Sequence, residues 1–113
     1  MKLITAYIQP FMAEKVTDAL RAAKVHGVTV LPCHGFGRLA GGKVPHYLDE
    51  GTQLGFVNKT KIEIVCVDTS AGEIIAIIRG HAHTGHHGDG KIFVSDIGDA
   101  VDIRTGARGE GGI

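Results

Sequence analysis

Three observations predict that this 113-residue sequence forms an α+β fold, a four-stranded antiparallel sheet with two helices on one face. Four short runs carry strand periodicity, and two longer runs carry apolar residues at helical spacing. They follow one another as strand, helix, strand, strand, helix, strand, which is the βαββαβ order of the ferredoxin-like fold. The third observation is that the strands are apolar on both sides, so two helices on one face leave the other in need of cover. A closed homo-oligomer is expected to supply it.

The elements are read as follows. Leu3 to Gln9 is a strand with Leu3 and Tyr7 on one face and Ile4, Ala6 and Ile8 on the other. Pro10 opens a helix over Phe11 to Ala23, whose Met12, Val16, Ala19, Leu20 and Ala23 form one apolar face. After Gly27 comes a second strand, Val28 to Leu31. From Leu39 to Lys59, glycines, Pro45 and polar residues show neither period, and a long flexible loop, 39–59, is expected to serve a partner. Lys61 to Val67 is the clearest strand, with Ile62, Ile64 and Cys66 opposite Glu63, Val65 and Val67. A carboxylate there needs a donor, either a ligand or a neighbour such as Lys61. Ala71 to Ala82 is the second helix, with Ser70 as its N-cap and Glu73 three residues on. The strand Lys91 to Ser95 and an alternating segment Asp99 to Arg104 follow. Thr105 to Ile113 is expected to be flexible in an isolated chain.

Composition narrows the function. Twelve basic and twelve acidic side chains cancel, so no nucleic acid or anionic membrane is favoured as partner. Apolar runs are too short to span a bilayer, and the N-terminus reads as a strand, which points to the cytoplasm. Cys33 and Cys66 lack any CxxC or disulfide-framework spacing and read as buried thiols, with a redox pair as the alternative.

The chemically richest stretch is Thr84 to Val94. Gly85, Gly88 and Gly90 free the backbone to turn N–H groups toward one point, and Lys91 adds a positive charge. Gly85 to Lys91 matches the start of a P-loop, but Ile92 stands where a magnesium-binding Ser or Thr would be, and the loop leads from helix to strand instead of the reverse. A phosphate-binding loop of another kind is one reading, and a glycine-rich turn without a ligand is the other.

Four blocks in register, Gly35-Phe36-Gly37-Arg38, Lys61 to Val65, Thr84-Gly85 with Gly88 to Val94, and Ile103 to Gly106, resemble the PII nitrogen-regulatory signal-transduction proteins over almost the whole chain. The resemblance implies a homotrimer of ferredoxin-like subunits with an adenine nucleotide (ATP, ADP or AMP) in each cleft between neighbours. It assigns Gly27, Val28 and Thr29 to the base and ribose, Gly37 and Arg38 to the loop start, and Glu63, Ile64 and Val65 to the adenine. Gly88, Asp89, Gly90 and Lys91 would meet the phosphates, with Arg104 arriving from a neighbouring chain. It implies a regulator and not an enzyme, which docks the 39–59 loop on a target transporter or enzyme according to ligand state.

Three departures stand against the family pattern. Leu39 replaces the glutamine that ligates magnesium beside 2-oxoglutarate, and cannot hold a metal. A different second effector is expected, with bicarbonate or metal status as candidates. Asp102 replaces a phosphate-binding arginine, which disfavours a triphosphate relative to ADP or AMP. The loop is one residue longer, and its tip near Gly51-Thr52 has no tyrosine, Tyr47 lying earlier, so uridylylation is not expected.

Seven histidines add a rival class. His83, His86 and His87 crowd the glycine loop and suit zinc, copper or nickel, the reading of a metal-binding tolerance protein on the same trimeric scaffold. The blander reading has histidines complementing a helix C-terminus and nearby phosphates. A phosphate-cleaving enzyme of acylphosphatase type has only Asp89 or a loop histidine to offer as a base.

Overall fold

Period-two alternation makes Lys2–Ile8 the first strand, β1. Ile4, Ala6 and Ile8 are buried on one side of it, and Leu3, Thr5 and Tyr7 stand half-exposed on the other. The computed structural model describes residues 1–36 and 56–113. Over these the chain continues through a 3-10 turn, Pro10–Met12, to helix α1 (Ala13–Ala22) and β2 (Val28–Gly35), then β3 (Val57–Cys66), helix α2 (Asp68–Ala82) and β4 (Gly90–Asp96). The strands lie in the order β2-β3-β1-β4, every pairing antiparallel, which is the ferredoxin-like arrangement expected from the element order.

The core is a single layer between the sheet and the helices. Ile4, Ile8, Ile62 and Ile64 from the sheet meet Val16 and Leu20 of α1 and Ile74 and Ile78 of α2. Burying each such side chain is worth about 2 kcal/mol, so alternation along β1 and β3 decides which sheet face receives the helices. Among the described residues no helix covers the opposite face. Leu31 and Phe93 on it are exposed, Phe93 by 55%.

Several boundaries differ from the sequence reading. The loop expected over 39–59 ends earlier, because Val57 to Lys59 continue β3 opposite Cys33 to Gly35, which likewise extend β2 beyond Leu31. The first helical residues form a 3-10 turn because Pro10 and the Met12 N–H to Gln9 carbonyl bond (2.9 Å) tighten the entry. Helix α2 starts three residues before Ala71, with Val67 as N-cap. Ser70 lies inside its first turn and makes no side-chain cap, and the α-amino group of Met1 instead sits 2.9 Å from the Asp68 carboxylate. Cys66 is buried, but Cys33 is only half-buried.

The C-terminal segment is ordered. Asp99 accepts hydrogen bonds from Arg108 Nε (2.9 Å) and Gly109 N (3.0 Å), and Val101 pairs with Arg108. Asp102 Oδ1 accepts from Thr105 N (2.8 Å) and Thr105 Oγ1 (3.0 Å), so residues 103–105 turn where alternation suggested a strand. A final 3-10 turn, Gly109–Gly112, follows.

Candidate functional site

Two halves of the expected site are assembled at opposite edges of the sheet. At the β2 edge, a cleft of about 250 Å³ is lined by Gly27, Thr29, Glu63 and Val65, with Leu3, His26 and Ile113 beside them. Thr29 and Glu63 meet there because they are cross-strand partners on the bare face. Glu63 has found its donor in Lys61, 2.7 Å away on the same face, and this partner raises the Lys61 pKa. Val28 and Ile64 pair with each other on the helix face, where Ile64 is only 1% exposed. Their side chains therefore belong to the core side, and only their backbone is left for a ligand on the bare face.

At the β4 edge, Thr84 to Lys91 form a braced loop. The Asp89 carboxylate accepts from Thr84 N (2.7 Å), Gly85 N (2.9 Å) and the Thr84 hydroxyl. These donors, the Thr84 hydroxyl foremost, hold its pKa down to about 2. A carboxylate so occupied is neither a general base nor free to ligate. The Gly88 carbonyl is gripped by Gln9 Nε2 and Lys59 Nζ, both at 2.6 Å. Burial beside the loop lowers the Lys59 pKa, against the opposing pull of Asp89. Neither Gln9 nor Lys59 was singled out by sequence reasoning, and only their spacing from the strand ends could have marked them.

This bracing leaves two backbone donors of the loop open. The N–H groups of His87 and Gly88 have no acceptor among the described residues. Lys91 follows on the bare face, opposite Tyr7, and makes no ion pair among those residues. Gly90 cannot carry a side chain. Its φ is +118°, and a Cβ there would lie 1.7 Å from the Tyr7 carbonyl oxygen.

The chain is similar to known proteins over nearly its whole length. The family model of the nitrogen regulatory protein P-II matches residues 1–107. The chain is 41% identical to the nitrogen regulatory protein P-II of Rhizobium meliloti and 44% identical to that of Mesorhizobium japonicum, over 96% of each chain. It is 39% identical to the nitrogen regulatory protein GlnK of Escherichia coli K12 over 97% of each. The chain belongs to the P-II family.

It is thus a signal-transduction regulator of PII type, and the remaining expectations can be placed on that scaffold. Arg104 is exposed on the C-terminal turn without an ion pair among the described residues. Gly37, Arg38, Leu39, Tyr47 and the Gly51-Thr52 tip lie outside the described residues. The histidine reading is corrected. Among the described residues no three His, Cys, Asp or Glu side chains are placed to hold a metal ion, so His83, His86 and His87 are not gathered into a centre. His81 Nδ1 lies 2.8 Å from the Ile77 carbonyl, as suits a residue in the last turn of α2. Asp102 does not project toward a ligand either, because its carboxylate closes its own turn. Among the described residues no helix is long and apolar enough to cross a membrane.

Proposed function

We propose that this chain is an adenine-nucleotide sensor that assembles as a homotrimer, with each nucleotide held between two neighbours. The observation that carries this is the separation of the two half-sites. The β2 and β4 edges are three strand spacings apart, about 14 Å, and Lys61 of β3 and Tyr7 of β1 stand on the bare face between them. The β2-edge cleft shares no lining residue with the glycine loop. A neighbour that covers the unfinished sheet face brings its own Gly88–Lys91 cradle to this chain's Gly27, Thr29, Glu63 and Val65. Base and phosphates are then gripped by different copies, and Arg104 adds its charge across the boundary.

In this reading the backbone of Val28 and Ile64 frames the base, and Asp89 acts by holding the loop in shape. Gly37 and Arg38 contribute from the start of the long segment. In this reading the protein acts as a regulator, by binding. The nucleotide state of the cleft biases the long segment between β2 and β3, which docks on a target transporter or enzyme in the cytoplasm. Leu39 supplies no metal ligand, so a magnesium-held 2-oxoglutarate is not part of the proposal. Titration calorimetry with ATP, ADP and AMP, paired with light scattering, tests it. Binding with one nucleotide per chain and a mass near three times 11.9 kDa is expected. A monomer, or no heat with any of the three, overturns it.

A further inference from the structure

A second cleft, which borders the glycine loop at Asp89, Gly90 and Lys91, opens on the helix side of the sheet between α2 and the edge strand β4. It holds about 330 Å³ and its apolar lining is Ile8, Ile75, Ile78, Ala82 and Ile92. It exists because the helix layer stops short of the sheet edge: Val94, opposite Ile4 and so on the helix side, is still 46% exposed. The polar lining is Arg79, His83, Asp89 and Lys91. The Asp89 carboxylate is already occupied by Thr84 and Gly85, whereas Arg79 and Lys91 form no ion pair among the described residues. An apolar cavity of this size with a few polar groups, among them an Arg79 that has no ion pair among the described residues, is built like a small-molecule site.

From this lining we infer that the cleft binds a small amphipathic carboxylate, an aliphatic body with one anionic head. The body lies on Ile75 and Ile92, and the head pairs with Arg79, whose planar guanidinium suits a carboxylate.

The test is titration of the full chain with sodium octanoate, octan-1-ol and octylammonium chloride, followed by calorimetry and by amide chemical shifts. Octanoate should bind with shifts centred on Ile75, Arg79 and Ile92, about tenfold more tightly than octanol, with octylammonium weaker still. Arg79→Gln, on the exposed side of α2, should reduce octanoate to the affinity of octanol. Ile75→Trp should fill the cavity and abolish binding of both. Equal binding of the three compounds, indifference to Arg79→Gln, or no binding at all overturns the inference. A loss of assembly in Ile75→Trp without octanoate binding to the parent would assign the cleft to a second copy, and would overturn it equally.

Discussion

The two faces of the sheet are made by the same strands and finish in opposite states. Toward the helices, Ile4, Ile62 and Ile64 are at most 1% exposed, while Leu3 and Val65, one residue away, remain half-exposed on the other face and Phe93 is largely open. Alternation commits both faces to apolar side chains, but one chain of this length has helices enough for only one of them. The helix side is covered within the chain except at the β4 edge, where Val94 is 46% exposed. The bare side is the natural seat of a neighbour, and the proposed nucleotide half-sites lie at its two edges.

The contrast breaks most severely at Gly90, where β4 is pressed against β1. Gly90→Ala places a Cβ against the Tyr7 carbonyl, which cannot move without opening the pairing of β1 with β4. A loss of about 4 kcal/mol in urea unfolding is expected, with nucleotide binding lost as well. Ile64→Ala and Val65→Ala, adjacent in sequence, sharpen the comparison. The first should cost about 3 kcal/mol at any protein concentration by leaving a cavity in the core. The second should cost under about 1 kcal/mol in the isolated fold, and its effect should grow as the protein is diluted, because it acts through assembly. Equal, concentration-independent losses would show that the bare face is not an interface.

Phe93→Glu should spare the circular dichroism spectrum of the folded chain while shifting sedimentation toward the monomer, since it sets a charge on the face to be covered. The smallest effect is electrostatic. The Asp89 pKa is depressed to about 2 by the loop's donors. Its contribution is therefore present above the ordinary carboxylate value near 4 and is lost as the pH falls from there toward 2. Discounted for solvent screening, this amounts to about 1 kcal/mol. Asp89→Asn should remove most of this acid dependence, measured as the difference between wild-type and variant midpoints at pH 7 and pH 3.

Much of this architecture was legible in the residues. Alternation in Leu3–Ile8 and Lys61–Cys66 located both faces correctly because burial on a sheet has a strict period of two. The glycine loop stood out because three glycines and a lysine fall within seven residues, a pattern that a ligand-free turn shares. What escaped were contacts made by distant residues. Nothing near Lys59 or Gln9 indicates that both would grip the Gly88 carbonyl, 29 and 79 positions away along the chain. Val101 to Arg104 alternates like a strand, yet the Asp102 bonds to Thr105 turn it, because a short acceptor beside a threonine competes well with a single isolated bridge. Nearness of the histidines in sequence does not by itself make a ligand set, and among the described residues no three such side chains are placed to hold a metal ion.

The central claim is that base and phosphates are held by different copies, and mixing two crippled variants tests it most directly. Lys91→Ala removes the cation of one half-site, and Thr29→Trp blocks the other. Each homogeneous assembly should fail to bind ADP. Unfolded together and refolded in equal amounts, the mixture should regain binding at about a quarter of its sites, those where an intact loop meets an intact cleft. If the mixture stays as inert as its parents while both variants remain assembled, the two half-sites do not meet across a subunit boundary.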